Sequence, residues 1–416
     1  MATNRSEGLF SKEQLLSLYL PSILLSLGTS MVAPVIPAFA RSFHVSFGEA
    51  SMVFVLAQVG ALVATFPAGY LMDKVGRRPV LLAGPLLTAV ASFMTPFSGS
   101  FQELLFWRFL GGAATQLWMQ ARLVIIADTA RHEHRARQVT WMNGTARGGQ
   151  LFGPSIGGFL AEGFGIQVPF ILHAAITLLA TLPSVALIKE SAPGRRSGDG
   201  QAAAAEQDIG WRGIIGMMLT FQMLMFLVVQ FSANLSRGGN EFGALNLYAV
   251  YAYNVSPTTL GVMSTVASLA GLPVPFITGY LMDKFGRRSV IVPGFALYGA
   301  SVLIMAFTAY GELPFLIFAA AYVAVQFTIG TVGGTMQVMG TDIAPSVARG
   351  RFFAIWRLIA QLASAVTPGI FAYLSEQINY GTGFLYLSLS AFLVAILVGT
   401  VLGDTRRAAR HTEPGG

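Results

Sequence analysis

Cysteine is absent from the 416 residues of this chain. That excludes a disulfide, a thiolate nucleophile and a cysteine metal site, and it leaves nothing from which to read a redox compartment. Charge is scarce as well, at 11% of residues, against roughly 25% in soluble domains. With 54% apolar residues and a mean hydropathy of +0.62, a soluble fold would expose far too much apolar surface, so lipid is the solvent for most of the chain. No G-x-x-x-x-G-K-[ST] loop occurs, which excludes ATP hydrolysis as the energy source. Paired carboxylates, nucleophile–base sets and spaced metal ligands are missing too, so neither an enzyme nor a cofactor is expected. His132, Glu133 and His134 are adjacent, but in a basic turn they read as solvated side chains, not as a metal site.

What is present is a series of apolar runs from Leu15 to Val401, each near the roughly 20 residues that a spanning helix needs. The first, Leu15 to Ala40, is too long for a signal-peptide core and is read as retained. Breaks fall near Arg41–Glu49, Asp73–Arg78, Gly99–Glu103, Asp128–Gln138, Glu162–Gln167, Lys189–Trp211, Arg237–Pro257, Asp283–Arg288, Gly311–Pro314, Asp342–Arg351 and Glu376–Gly381, which predicts twelve spans. Residues 1–14 form an N-terminal segment, 15–190 six spans, 191–210 a polar linker rich in Gly and Ala, 211–402 six more spans, and 403–416 a tail. Of the 26 Lys and Arg residues, 20 lie in the termini and the even-numbered connections, counting Arg212 beside the linker. Only Arg41 and Arg237 lie on the other side. The positive-inside rule then predicts an inner-membrane protein with both termini cytoplasmic, and it accounts for the +7 charge without nucleic acid.

The two halves repeat. GYLMDKVGRRPV from Gly69 recurs as GYLMDKFGRRSV from Gly279, in each case between the second and third spans of its half. Asp128, Arg135 and Arg137 recur as Asp342, Arg349 and Arg351. In the following span, Asn143, Arg147, Gln150 and Pro154 recur as Arg357, Gln361, Ser364 and Pro368. Duplicated halves imply a pseudo-two-fold axis along the membrane normal, with a binding site near the midplane.

The duplicated turn, Gly69, Asp73, Gly76, Arg77 and Arg78 and then Gly279, Asp283, Gly286, Arg287 and Arg288, resembles the signature of the major facilitator superfamily. The resemblance implies an all-helical membrane fold of two six-helix bundles, with the turn glycines serving close packing and a sharp bend. It also implies that Arg77 pairs with Asp128, and Arg287 with Asp342, in a latch that gates the cytoplasmic side. In span 5, Gly149, Gly153, Pro154, Gly157 and Gly158 form G-x-x-x-G-P-x-x-G-G, which resembles the motif of the drug:proton antiporter branch. Its companion is Arg108 with Gly111 and Gly112 in span 4.

Ionised residues inside a span are costly enough to be functional candidates by default. Arg108 and Arg122 share a face of span 4, and Asn143, Arg147 and Gln150 a face of span 5; Asn234, Arg237 and Glu241 lie along span 7, and Arg357 and Gln361 along span 11. Together they are candidate linings of a substrate and proton pathway, with Arg122 and Arg357 close enough to a span end to snorkel instead. The antiporter pattern often includes an acid in span 1, which here has none. Proton candidates are therefore Glu241, Asp128, Glu162 and His173, the last read first as a hydrogen-bonded structural residue. The expected function is proton-coupled export of small amphipathic compounds by a monomer in the bilayer. The main rival is transport of an organic anion on the intramembrane arginines, and a non-transporting sensor is more remote.

Overall fold

A computed structural model describes residues 19–129, 135–187, 216–241, 243–344 and 349–401. Among them the secondary structure is helical and contains no strand. The first half holds α1 (Leu20–Val32), α2 (Val35–Arg41), α3 (Phe47–Val75), α4 (Arg77–Met94), α5 (Phe101–Thr129), α6 (Arg135–Phe164) and α7 (Val168–Leu187). The second holds α8 (Phe221–Glu241), α9 (Ala244–Tyr253), α10 (Pro257–Gly271), α11 (Val274–Phe285), α12 (Arg288–Tyr310), α13 (Phe315–Val332), α14 (Thr335–Ile343), α15 (Arg349–Gln377) and α16 (Tyr380–Thr400). Joined across breaks at Pro34, Gly243, Pro273 and Gly334, these make the twelve spans of the sequence reading.

One boundary differs. The stretch between Arg237 and Pro257, read as a connection, is mostly helix: α8 continues to Glu241, and α9 follows with ALNLYAVYAY. Gly238 and Gly239 lie inside α8, and the apolar run after them extends span 7 to Tyr253.

Several helix ends have a local cause. Ser46 opens α3 with a capping box, accepting from Glu49 N at 3.2 Å while Glu49 Oε2 accepts from Ser46 N at 2.9 Å. Asn379 caps α16 through Thr382 N. At the duplicated turn, α3 ends on Gly76 with φ 107° and α11 on Gly286 with φ 93°, a left-handed backbone that disfavours a Cβ. The same residue at the same place in both copies thus solves the same bend.

Eight stretches among the described residues are long and apolar enough to cross a bilayer, corresponding to spans 1, 2, 3 and 8 to 12. Spans 4, 5 and 7 fall short because α5, α6 and α8 carry arginines, glycines, glutamines and asparagines. Those three spans hold most of the candidate pathway residues. A helix can stay in lipid with such a face only if protein or a polar space covers it.

The chain divides into two compact units, Met1–Arg196 with Ala249–Thr265, and Ser197–Tyr248 with Val266–Gly416. In the first, α1 packs on α6 and α7, α3 on α5, and α4 on α5 and α7. In the second, α8 packs on α15 and α16, α12 on α13 and α16, and α11 on α12 and α13. The pairings repeat between halves, as the sequence does.

In lipid, apolar surface gives little drive to association, so close packing holds the helices together. The first unit has a core of Ala68, Met72, Val80, Leu81 and Ala121 under Trp118. The second is built on aromatic edges: Tyr248 lies 5.5 Å from Phe318 and 5.1 Å from Phe384, and Phe384 lies 5.0 Å from Phe371. Such pairs each add about 0.5–1.5 kcal/mol beyond burial. Outward-facing side chains such as Leu316, Phe276 and Leu182 are apolar and exposed, as a lipid boundary requires.

Candidate functional site

In the second half the duplicated turn closes on itself. Arg287 follows the Gly286 bend, and its Nη1 donates to Asp283 Oδ1 at 3.1 Å and to the Met282 carbonyl at 3.1 Å. Its Nε donates to Asp342 Oδ2, near the end of α14, at 3.0 Å. Burial opposes the Arg287 charge, but the bonds and charges of Asp342, then Asp283, outweigh it and raise the guanidinium above its usual pKa. Asp283 is 79% exposed, so the Asp342 arm, 28% exposed, is the stronger. Next to it Arg288 donates to the Gly399 carbonyl of α16. The guanidinium pair thus ties the turn to α14 and α16.

In the first half, Gly76 makes the matching bend and Arg78 is half-buried. Asp73, Arg77 and Asp128 lie on α3, α4 and α5, and their side chains are outside the described residues. Gly69 lies within α3. Gly279 corrects one expectation: no described atom lies within 4 Å of where its Cβ would be, so close packing does not explain it.

Along α6 the motif glycines face two helices. A Cβ on Gly149, Gly153 or Gly157 would run into the α1 backbone or side chains, at Ile23, at Leu27 and Ser30, and at Met31. One on Gly158 would strike the Pro257 carbonyl of α10, and one on Gly261 of α10 would strike the Pro154 carbonyl. Beside them Ser155 Oγ donates to Thr265 Oγ1 at 2.8 Å. Backbone therefore meets backbone on both sides of α6, a contact that only glycine permits.

The polar candidates within spans separate by environment. Arg122 is 7% exposed, lies 4.2 Å over the Trp118 ring, and donates to Ser22 Oγ on α1 at 2.8 Å. It is packed inward and does not snorkel. Arg108 is half-buried, and no hydrogen bond or ion pair joins it to a described residue. Arg147, Gln150 and Arg357 are exposed, while Gln361 and Arg237 are half-buried. Asn234 Nδ2 is turned back to the Gln230 carbonyl at 2.7 Å. The side chains of Asn143 and Glu241 lie outside the described residues, as does the His132–His134 turn. Among the described residues no cluster of three potential metal ligands occurs.

A family model described as Major Facilitator Superfamily matches residues 18–252 and, in a second match, 226–416. The chain belongs to the Major Facilitator Superfamily. Within it, the Quinolone resistance protein NorA of Staphylococcus aureus (strain MRSA252) is 25% identical over 306 residues, covering 72% of this chain and 74% of that protein. Multidrug resistance protein 2 of Bacillus subtilis (strain 168) is 24% identical over 267 residues, covering 64% and 66%. In fold, the chain resembles a D-xylose-proton symporter, with a TM-score of 0.75 at 16% identity over 95% of this chain and 98% of that one. The xylose transporter XylE from E. coli gives 0.72 at 14% identity over 96% and 100%.

This facilitator also carries polar contacts that sequence reading missed. Arg41, at the end of α2, donates through Nη1 to the Val250 carbonyl at 2.7 Å and to Asn254 Oδ1 at 2.6 Å. Its guanidinium lies 5.5 Å from the Tyr251 ring centroid, and Tyr251 donates to the Val45 carbonyl at 3.1 Å. A cation thus sits where α9 ends, favoured by the helix dipole. At the other side of the same turn, Glu162 Oε1 accepts the Thr258 N–H at 3.0 Å, in the first turn of α10. Burial raises the Glu162 carboxyl, but bonds from Ser256 and Thr258 more than offset this and hold it below its usual pKa. The only sequence signal was Arg41's position on the poorly charged side of the membrane.

Proposed function

We propose that this chain is a secondary active transporter that works by alternating access and exports small amphipathic compounds in exchange for protons. The observation that carries the reading is the backbone-to-backbone seating of α6 through Gly149, Gly153, Gly157 and Gly158. This is the span 5 motif that links the chain to the antiporter branch, and relatives named for quinolone and multidrug resistance support the same reading. The Arg287–Asp342 bond, with the first-half pairing of Arg77 and Asp128 expected from the sequence repeat, sets which side is open. Residues 191–210 link the two six-span halves, the protein works as a monomer in the plasma membrane, and both termini face the cytoplasm.

The test is internal pH in proteoliposomes as lipophilic cations, neutral drugs and organic anions are added in turn. Proton movement on adding cations or neutral drugs is expected, and its absence with every compound would overturn the reading.

A second reading rests on one observation. Arg108 and Arg122 stand inside the first unit without a carboxylate partner among the described residues. A buried cation left unpaired is destabilising by several kcal/mol, so an anionic group on the substrate would fit there. A response to organic anions alone, lost in Arg108→Gln, would favour this reading.

A further inference from the structure

His173 is the only ionisable residue of α7, and it is 7% exposed. The Cδ2 edge of its ring meets α1 at Gly28, where a Cβ would stand 2.6 Å from Cδ2. Ring Nδ1 lies 2.9 Å from Ser92 Oγ of α4, and Ser92 Oγ donates to the Phe170 carbonyl at 3.1 Å. A hydroxyl has one proton to give. When that of Ser92 goes to Phe170, Ser92 accepts from the imidazole, Nδ1 carries the hydrogen, and Nε2 is the bare nitrogen. It is buried and has no hydrogen-bond partner among the described residues.

In the same unit Arg108 of α5 has its own Nε buried without a partner among the described residues. Elements packed on α7 add little charge here. α1 and the short 3-10 turn Thr95–Phe97 carry no ionisable side chain, and the arginines of α4 lie at its opposite end. On α5, Glu103 binds the Gly99 N–H; on α6, Glu162 is held by Thr258 and Arg147 is exposed.

We propose that His173 carries the coupling proton, taking it on Nε2 and releasing it from the same atom. The proposal rests on the proton-coupled reading above. One proton adds to the Nε2 lone pair and the same N–H bond later breaks, so no other reactant is needed. An imidazolium donates from both nitrogens, and Nε2 faces no acceptor among the described residues, so this conformation holds the neutral ring. Loading the proton places a cation in a buried site of low dielectric with no acceptor at Nε2, which disfavours this arrangement and links proton occupancy to conformation. The Gly28 site gives the ring its room in the span where the antiporter pattern often has an acid.

The test uses the full-length protein in proteoliposomes, with ethidium as the lipophilic cation, and follows proton movement and export between pH about 5 and about 9. If the wild type moves no protons with ethidium, neutral drugs or anions, the exporter reading fails and takes this proposal with it. Where the wild type moves protons, His173→Gln abolishes the movement and flattens the pH profile. A purely structural role would change the rate without flattening the profile. A folded His173→Gln protein with the wild-type profile overturns the proposal and leaves the exporter reading standing. Should the variant fail to fold, nitrogen NMR of isotope-labelled histidine in the wild type decides. A His173 signal with hydrogen on Nδ1 that gains one on Nε2 across the transport range supports the assignment, and hydrogen fixed on Nε2 refutes it.

Discussion

Glu162 caps a helix that begins 95 residues later in the chain: its Oε1 accepts the Thr258 N–H at 3.0 Å, at the start of α10. The carboxylate meets the positive end of the α10 dipole, as Arg41 meets the negative end of α9 across the same turn. Opposite charges thus fix both helix ends that the turn joins.

Removing the carboxylate should loosen this turn. In Glu162→Gln, amide hydrogen exchange at Thr258 and Thr259 is expected to speed up by roughly tenfold, with little change in α12. The wild type should lose the same protection in acid, measured relative to the intrinsic exchange rate at each pH. The Glu162 pKa lies below its ordinary 4.5, so the contribution is complete above 4.5 and is lost as pH falls through the lower, folded-state value. Protection that does not change between neutral pH and about 3 would contradict the assignment.

Arg287 and Asp342 should show coupling in a double-mutant cycle. Arg287→Met and Asp342→Asn are each expected to lower stability, and the double variant should lose less than their sum, by about 0.5–1 kcal/mol for a partly exposed pair. Asp283→Asn should cost less, because that carboxylate is 79% exposed. Thermal unfolding in detergent measures all three.

Glycines of α6 should divide by position. Gly157→Val drives a side chain into the Met31 carbonyl and should destabilise by about 1–3 kcal/mol, or prevent assembly. Gly144→Ala and Gly148→Ala meet no described atom within 4 Å, and should be neutral or stabilising by up to about 1 kcal/mol through reduced chain entropy. Melting temperatures that treat the glycines alike would argue against close packing as the reason for the motif.

Arg122 should depend on its acceptor. Ser22→Ala leaves the guanidinium without the 2.8 Å bond, and a loss of about 1.5–3 kcal/mol is expected. Arg122→Lys should be no milder, since an ammonium cannot stack on Trp118 as the planar guanidinium does. Chemical or thermal unfolding of the two variants beside wild type checks the order.

Much of this was legible in the sequence, for identifiable reasons. Spans and turns follow from length, hydropathy and charge, and the duplicated Gly-Asp-Arg turn locates itself twice; Gly76 and Gly286 then share one backbone conformation. The glycine spacing of α6 reported close contact, though not that α10 supplies one side of it. The length of span 7 was misread because Gly238 and Gly239 look like a break, whereas Gly238 packs against Thr367 inside a continuing helix. Arg41 with Asn254 and Glu162 with Thr258 could not be read at all. They join residues 213 and 96 positions apart, and a carbonyl or an N–H gives no sign in the sequence of which side chain will reach it. His173 was visible as a lone histidine, but the nitrogen left bare follows only from where Ser92 sends its proton.

Because Ala249–Thr265 pack with the first unit, the linker is a poor place to cut the protein. A fragment ending there would present the Gly158 strip and an uncapped Glu162 to lipid, with backbone carbonyls laid bare along α6. It should seek its own second copy, or a synthetic peptide spanning 249–265, to cover that seam. No single break separates the units, because α8 packs with the second and Ala249–Thr265 with the first.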